Sequence, residues 1–376
     1  MKTVVDKAVR NYMNSEKLGP KGKKLVKSEN DEELIKLLEA SKAKIRVIGV
    51  GGGGCNTVDR MNEIGIHGAE TYVVNTDAQD LLSVTADKKI LIGRKLTRGL
   101  GSGSNPSVGE AAAQESLESL QDLLHESDLV FITCGLGGGT GTGASPIIAE
   151  IAKETKALTI AVVTLPFTVE GKKRMENAIE GLTKLKKAAD TIIVIPNDKI
   201  LEIAPDLPIS AAFKVADEVL TNAVKGITEM VTKPGLINLD FADLRTILDR
   251  GGAAMIGLGE SQQEKATDSR ALESVENALT SPLLDVDISE ANRALVNVVG
   301  GTDMTLREAE MIVEAVAGKI SANAHLIWGA MIDEELPRNQ IQAMVVIAGG
   351  KFPYLGDVKG LINENGVIDL GIEFTD

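Results

Sequence analysis

Positive charge is in short supply in this chain. Its 376 residues carry 40 Lys and Arg against 54 Asp and Glu, a net charge of −14. A nucleic-acid-binding protein neutralises phosphates with clustered basic side chains, so that class of partner is excluded. Any phosphate held here is expected to rest on backbone N–H groups or a metal ion. Cysteine is nearly absent: Cys55 and Cys134 lie far apart with no CxxC. This usage fits a reducing cytoplasm and buried, unreactive thiols. The three histidines, His67, His125 and His325, are scattered, which excludes a zinc site built on them. No apolar run is long enough to span a membrane, and the opening "MKTVVDKAVRNYMNSEK" has no signal-peptide core. Other motifs stop short as well. "GESQQ" lacks the closing glycine of a nucleophile elbow, "DVDISE" lacks the glycine of an EF-hand loop, and no GK[ST] ends a Walker A loop.

Glycine, by contrast, is abundant and grouped. Residues 1–43 read as a helical extension, with Val4, Val5, Ala8, Val9, Tyr12 and Met13 at helical spacing. From 44 to 208 the β-branched runs "KIRVIGV", "TYVVNT", "KILI", "DLVFITC", "LTIAVVTL" and "DTIIVIP" alternate with helices or loops. Strands apolar on both faces belong to a parallel sheet covered by helices, so a doubly wound α/β domain is expected. A long helix over 209–234, with a broad stripe including Phe213, Leu220, Val224 and Ile227, leads to a smaller α+β domain over 235–350. Residues 351–376 read as a tail rich in turn signals.

Three glycine loops follow strands: "GVGGGGCN" at 49–56, "GLGSGSNP" at 99–106 and "GLGGGTGTGASP" at 135–146. Glycine lets backbone approach a phosphate closely, and a helix N-terminus offers unpaired N–H groups and a favourable dipole. Thr140 and Thr142 offer hydroxyls for the same purpose. A lone GxGxxG, here Gly49, Gly51 and Gly54, is as readily a tight turn. It also fits a nicotinamide-dependent oxidoreductase with Asp77 on the ribose. Three loops in one domain point instead to a di- or triphosphate, because a dinucleotide needs only the first.

The sequence is similar to the tubulin/FtsZ superfamily of GTPases. "GGGTGTG" at 137–143 resembles its signature and "NLDFAD" at 238–243 its catalytic loop. The order of "GVGGGGCN", "VNTDAQ", "GLGSGSNP", "GGGTGTG", "PFTVEGKKR" and "NLDFAD" resembles the cell-division branch, over roughly residues 43–350. The resemblance implies a fold of two domains joined by a long central helix. It implies that Gly51, Gly52, Gly53, Gly54, Cys55, Gly101, Ser102, Gly103, Gly138, Gly139, Thr140, Gly141, Thr142 and Gly143 wrap the phosphates of GTP or GDP. Glu170 and Arg174 would hold the ribose, Asn75, Phe213 and Asp217 the guanine, and Gln79 would sit near Mg²⁺. Asp240, Asp243 and Asn238 would be catalytic. Implied partners are further copies of the chain in head-to-tail filaments and membrane-tethering division proteins bound through the terminal segments. No nucleic acid and no direct membrane insertion are implied, and the setting is cytoplasmic, at a midcell division ring.

Bland readings accompany two of these groups. Glu170 and Arg174 at i,i+4 suit a helix ion pair, and Asn238 or Asp240 suits a helix cap. If Asp217 contacts the base near the start of the long helix, Asp240 lies roughly 30 Å away at 1.5 Å per residue. It would then serve a neighbour's nucleotide, through a heterologous contact that propagates into filaments. Two alternatives compete: an FtsZ-like scaffold without a division role, and the nicotinamide oxidoreductase.

Overall fold

In a computed structural model, residues 43–349 are described, apart from 204, 205, 207, 262–266, 285 and 286. The expected N-terminal helical extension and C-terminal tail lie outside the described residues. Six strands form the parallel part: β1 (Ile45–Val50), β2 (Ala69–Asn75), β3 (Lys88–Leu91), β4 (Leu129–Gly135), β5 (Leu158–Leu165) and β6 (Thr191–Pro196). Between them run α1 (Gly51–Ile64), α2 (Ala78–Ser83), α3 (Arg94–Thr97), α4 (Pro106–Glu115), α5 (Leu117–Leu124), α6 (Thr140–Glu154) and α7 (Lys172–Ala188). After β6 come α8 (Asn197–Ile203), the long α9 (Ile209–Thr232) and α10 (Phe241–Leu248). The remainder is β7 (Gly252–Glu260), α11 (Thr267–Leu279), β8 (Arg293–Gly300), α12 (Leu306–Ala317), β9 (His325–Ile332) and β10 (Ile341–Ala348).

Strand order is β3-β2-β1-β4-β5-β6, continuing without a break as β7-β10-β8-β9. The order reverses between β1 and β4, and loops leaving such a point open a crevice at the carboxyl ends of the strands. Alternation explains why each strand reads as apolar throughout. Ile45, Val47, Leu129 and Phe131 join the core on one face, and Ile48, Val50, Val130 and Ile132 join the core on the other. The two halves of the chain are joined more closely than a connecting helix requires. β6 pairs β7 over Thr191–Ile193, and the first core runs from β1 and β4 through Ala223, Val224 and Ile227 of α9 to Leu295, Met344 and Val346. The smaller half has its own core beneath α11 and α12, with the fully buried Arg270 held by Glu308 at 2.6 Å and Asp303 at 2.6 Å.

Several loop glycines are demanded by packing. A Cβ on Gly143 would lie 2.0 Å from the carbonyl oxygen of Pro106 and 2.6 Å from Glu110 N, so α6 meets α4 backbone to backbone there. A Cβ on Gly54 would lie 2.3 Å from Thr133 O, which lets α1 rest directly on β4. Substituting Gly143→Ala is expected to force α4 off α6 and lower stability by about 1–3 kcal/mol, the usual range for overpacking. Thermal unfolding checks this, with Gly138→Ala, where a Cβ would meet nothing within 4 Å, as the tolerated control.

Candidate nucleotide site and catalytic loop

Helix α1 starts directly at the end of β1, with Gly51 at φ +70. Neither α1 nor α6 has a capping side chain or an acidic residue in its first turn. Nearby helices are closed: Asp77 caps α2 by accepting from Gln79 N and Asp80 N, and Asn105 caps α4 by accepting from Ser107 N. Two adjacent strands therefore aim two open helix N-termini at one crevice, an arrangement that attracts an anion. The second glycine loop closes it from the side. Gly101 N donates to Thr76 O, and Ser102 Oγ lies 2.9 Å from Thr140 Oγ1, which in turn lies 2.7 Å from Thr76 Oγ1. Left-handed backbone at Arg98, Gly99, Gly101, Gly103 and Ser104 folds this loop back on itself.

Within 135–143 the glycines divide their tasks. Gly137, Gly139, Gly141 and Gly143 are crowded by Arg174, Ser102, the Gly135 carbonyl and the Pro106 carbonyl respectively, while Gly138 faces open space. Thr142 is turned inward: its hydroxyl accepts from Gly137 N at 2.8 Å and it is buried. It closes the loop from within, where the sequence suggested a free donor. Of the first loop, Gly52 and Gly53 are exposed, whereas Gly51, Gly54 and Cys55 are buried. Burial pushes the Cys55 thiol up to about 12, keeping it unreactive.

On the other side of the crevice, Phe213 and Asp217 lie one turn apart on α9 and share a face. Phe213 is partly exposed and meets the buried Phe167 edge to face, with centroids 5.1 Å apart. Thr57 Oγ1 on α1 donates to Asp217 Oδ1 at 3.3 Å. Burial raises the Asp217 carboxyl to about 6, and the Thr57 bond lowers it only in part. Glu170 lies in a separate short turn (Thr168–Glu170) ahead of α7, so its contact to Arg174 at 3.1 Å is not a pair within one helix. Glu170 also accepts from Phe167 N, and the Asp198 carboxylate holds Thr168. Arg174 packs on Gly137, which brings the pair to the edge of the third loop.

Asn75 is placed differently from the base contact that the resemblance implied. Its Oδ1 accepts from Thr76 N and Asp77 N, and its Nδ2 points to Asp80 and Cys55. Buried and bonded on both sides, it organises the end of β2. Gln79 is exposed at the start of α2. Two side chains went unread in the sequence. Asn56 is exposed, on the face of α1 shared with Gly52 and Gly53. Asn197, at the carboxyl end of β6, is buried with its Oδ1 unpartnered. Asn56 stands within a quoted motif, but its direction depends on where the helix begins.

Asn238, Asp240 and Asp243 form a second cluster. Asp240 caps α10, accepting from Asp243 N at 2.9 Å, and Asp243 returns the bond from Asp240 N at 3.2 Å. Asn238 Oδ1 accepts from Gly235 N at 2.5 Å. The capping reading is thus realised, and it holds both carboxylates side by side with one oxygen of each left over. This cluster stands at the opposite edge of the sheet from the glycine loops. Leu136 N bonds Thr164 O at the carboxyl end of β5, whereas Arg245 of α10 bonds Lys156 O, just before β5 starts. Eight strand residues separate these points, about 26 Å. The helical part of the path from Asp217 to Thr232 accounts for a further estimate of about 22 Å.

Comparison with known proteins settles what the fold is. Residues 44–205 match the model of the Tubulin/FtsZ family GTPase domain, and residues 252–351 that of the FtsZ family C-terminal domain. The chain is 59% identical over 327 residues to cell division protein FtsZ 1 of Thermococcus kodakarensis, covering 87% of this chain and 86% of that one. It is 53% identical over 360 residues to FtsZ 1 of Archaeoglobus fulgidus, covering 96% of each. The chain belongs to the FtsZ family. Among solved structures, an FtsZ dimer from Methanocaldococcus jannaschii, solved empty, superposes with a TM-score of 0.81 at 56% identity, covering 86% of this chain and 93% of that one. A CetZ2 protofilament from Haloferax volcanii, TM-score 0.71 at 21% identity over 82% of this chain and 93% of that one, shares the fold. The family is one of guanine-nucleotide hydrolases, so the chain is a GTPase and the oxidoreductase alternative is set aside. Asp77 is a helix cap. Among the described residues, no helix is long and apolar enough to cross a membrane.

An ionised Asp217 can accept from the N1–H and 2-amino groups of guanine. With the carboxyl raised to about 6, GDP affinity is expected to fall as the pH drops below about 6, by up to about tenfold per unit. Asp217→Asn is expected to lose this component and to favour a xanthine over a guanine nucleotide. Equilibrium titration of both proteins with both nucleotides from pH 5 to 8 checks it; the phosphates' own titration is common to all arms.

Proposed function

We propose that the chain hydrolyses GTP as a head-to-tail polymer and builds the cytokinetic ring of its cell. One observation carries this reading: the glycine loops and the Asp240–Asp243 pair occupy opposite edges of one rigid sheet. A single molecule holding GTP in its crevice leaves its own carboxylates beyond the far end of β5, a strand of eight residues about 26 Å long. Stacking a second copy edge to edge places those carboxylates over the first copy's γ-phosphate. Such a contact uses two different surfaces and repeats without limit unless rotation closes a ring.

In the assembled site, the open N-termini of α1 and α6 and the loop around Gly101–Gly103 take the phosphates. Glu170 and Arg174 take the ribose, and Phe213 and Asp217 take the base. Asn56 and the orphaned amide oxygen of Asn197 add polar contacts at the rim and wall. The donors beside the first loop suit a hard cation: a Cβ on Gly52 would lie 3.4 Å from Asp80 Oδ2, and Gln79 and Asp77 are close in sequence. Among the described residues, no group of three or more His, Cys, Asp or Glu could hold a metal. Mg²⁺ would therefore lean on phosphate oxygens and water, neutralising charge on the leaving group. The next subunit's Asp240 and Asp243 accept a proton from water as its oxygen attacks the γ-phosphorus, the β,γ P–O bond breaks, and GDP and phosphate form. Asn238 shapes the turn that presents them. The setting proposed is the cytoplasmic side of the division site, with tethering partners engaging the terminal segments.

GTP turnover per subunit is expected to be negligible at high dilution and to rise above a critical concentration seen by light scattering. Asp240→Ala is expected to bind GTP and assemble while losing at least about 100-fold in turnover. Turnover per subunit that holds constant into the monomeric range contradicts the shared site.

A further inference from the structure

Helix α10, which carries the catalytic pair at its first turn, is fastened to the rest of the chain by three side chains that bond carbonyl oxygens. Arg293 of β8 donates to Ile247 O and Asp249 O, and the Thr191 hydroxyl of β6 donates to Leu248 O; both hold the carboxyl end. The third is different in kind. Arg245 belongs to α10 itself, sits one turn after Phe241 with its guanidinium 5.6 Å from that ring, and donates from Nη2 to Lys156 O at 2.7 Å. Lys156 follows the C-cap of α6 in the left-handed conformation at φ +65. Its carbonyl thus projects from the far end of the helix whose near end is the glycine loop at Thr140.

We infer that Arg245 is a positioning residue for hydrolysis, latching the helix that presents Asp240 and Asp243 to the end of α6. Three observations converge on it. Arg245 stands five residues beyond Asp240, so its bond is the fastening nearest the catalytic turn, ahead of the 247–249 carbonyls that Arg293 and Thr191 hold. The bond joins two helix ends, and a guanidinium suits the negative end of α6. Finally, α6 is fixed at its start by the Thr140–Ser102–Thr76 hydroxyl network. One helix therefore runs from a subunit's own phosphate loop to the latch beneath the carboxylates it lends to the next subunit. Loss of the latch leaves Arg293 and Thr191 to keep α10 folded and docked while its first turn gains freedom. A carboxylate pair needs placement to a fraction of an ångström, so the effect is expected in turnover rather than in binding.

The inference rests on the shared-site reading, and the test separates the two. Arg245→Ala, Arg245→Lys and Asp240→Ala are compared with the parent for GTP affinity as monomers, critical concentration, thermal melting and turnover per assembled subunit. Arg245→Ala is expected to keep affinity, melting and critical concentration within about twofold, or a few degrees, of the parent and to lose about tenfold in kcat at unchanged KM. Arg245→Lys, which can still donate one bond to the carbonyl, is expected to recover most of it. Parental turnover in Arg245→Ala beside an inactive Asp240→Ala overturns the latch alone, as does a loss matched by equal loss of assembly or unrepaired by lysine. Parental turnover in Asp240→Ala overturns the shared site itself.

Discussion

The constraint on which the rest depends is that a parallel strand has two different ends. In the sheet β3-β2-β1-β4-β5-β6, a helix that follows a strand begins at the carboxyl edge, so the uncapped N-termini of α1 and α6 with their positive dipole ends meet there. With 14 more acidic than basic charges, the chain offers an anion chiefly these fixed backbone dipoles. Arg174 is the cation at the edge of the third loop, and part of its charge is already met by Glu170. Chemistry that needs carboxylates beside a triphosphate is badly served at that edge, because like charges repel in the resting site. In the proposed shared site, keeping Asp240 and Asp243 on the opposite edge removes the repulsion until two molecules meet.

The same constraint explains the glycines. A phosphate cradle made of backbone needs helix starts packed against strand ends without intervening side chains. Gly49 and Gly54 bring α1 onto β1 and β4; Gly109, Gly139 and Gly143 bring α4 and α6 together. Most of the signature therefore acts one layer beneath the ligand. Gly138 is left facing open space, and Gly52 and Gly53 are exposed.

The continuous sheet gives the two edges a fixed relation. Because β6 and β7 pair and α9 packs into a core shared with β8 and β10, the catalytic loop is referenced to the nucleotide crevice through packed backbone as well as through the connecting helix. Arg245, Arg293 and Thr191 refine that relation at α10. A polymer built from such units has a repeat set by sheet length, and a side chain that shifts one edge changes the site formed with the next.

Periodicity and motif order made the strands, the long helix, the three loops and the paired carboxylates legible before any coordinates, because each rests on local pattern: apolar runs, turn residues, i and i+3 spacing. Directions of side chains were not legible. Thr142 turning inward, Asn75 bonding to the end of β2 and Asn197 keeping a buried, unpaired oxygen depend on where each helix and strand begins and on partners 1 to 20 positions away. The union of both halves into one sheet was also hidden, since the pairing of Thr191–Ile193 with Gly252–Ala254 leaves no trace in either segment's pattern. The sequence by itself determined where the glycine loops and the paired acids fall along the chain. Only the tertiary structure decided that the two stand at opposite edges, because the direction of a parallel strand fixes an edge and no local pattern records it.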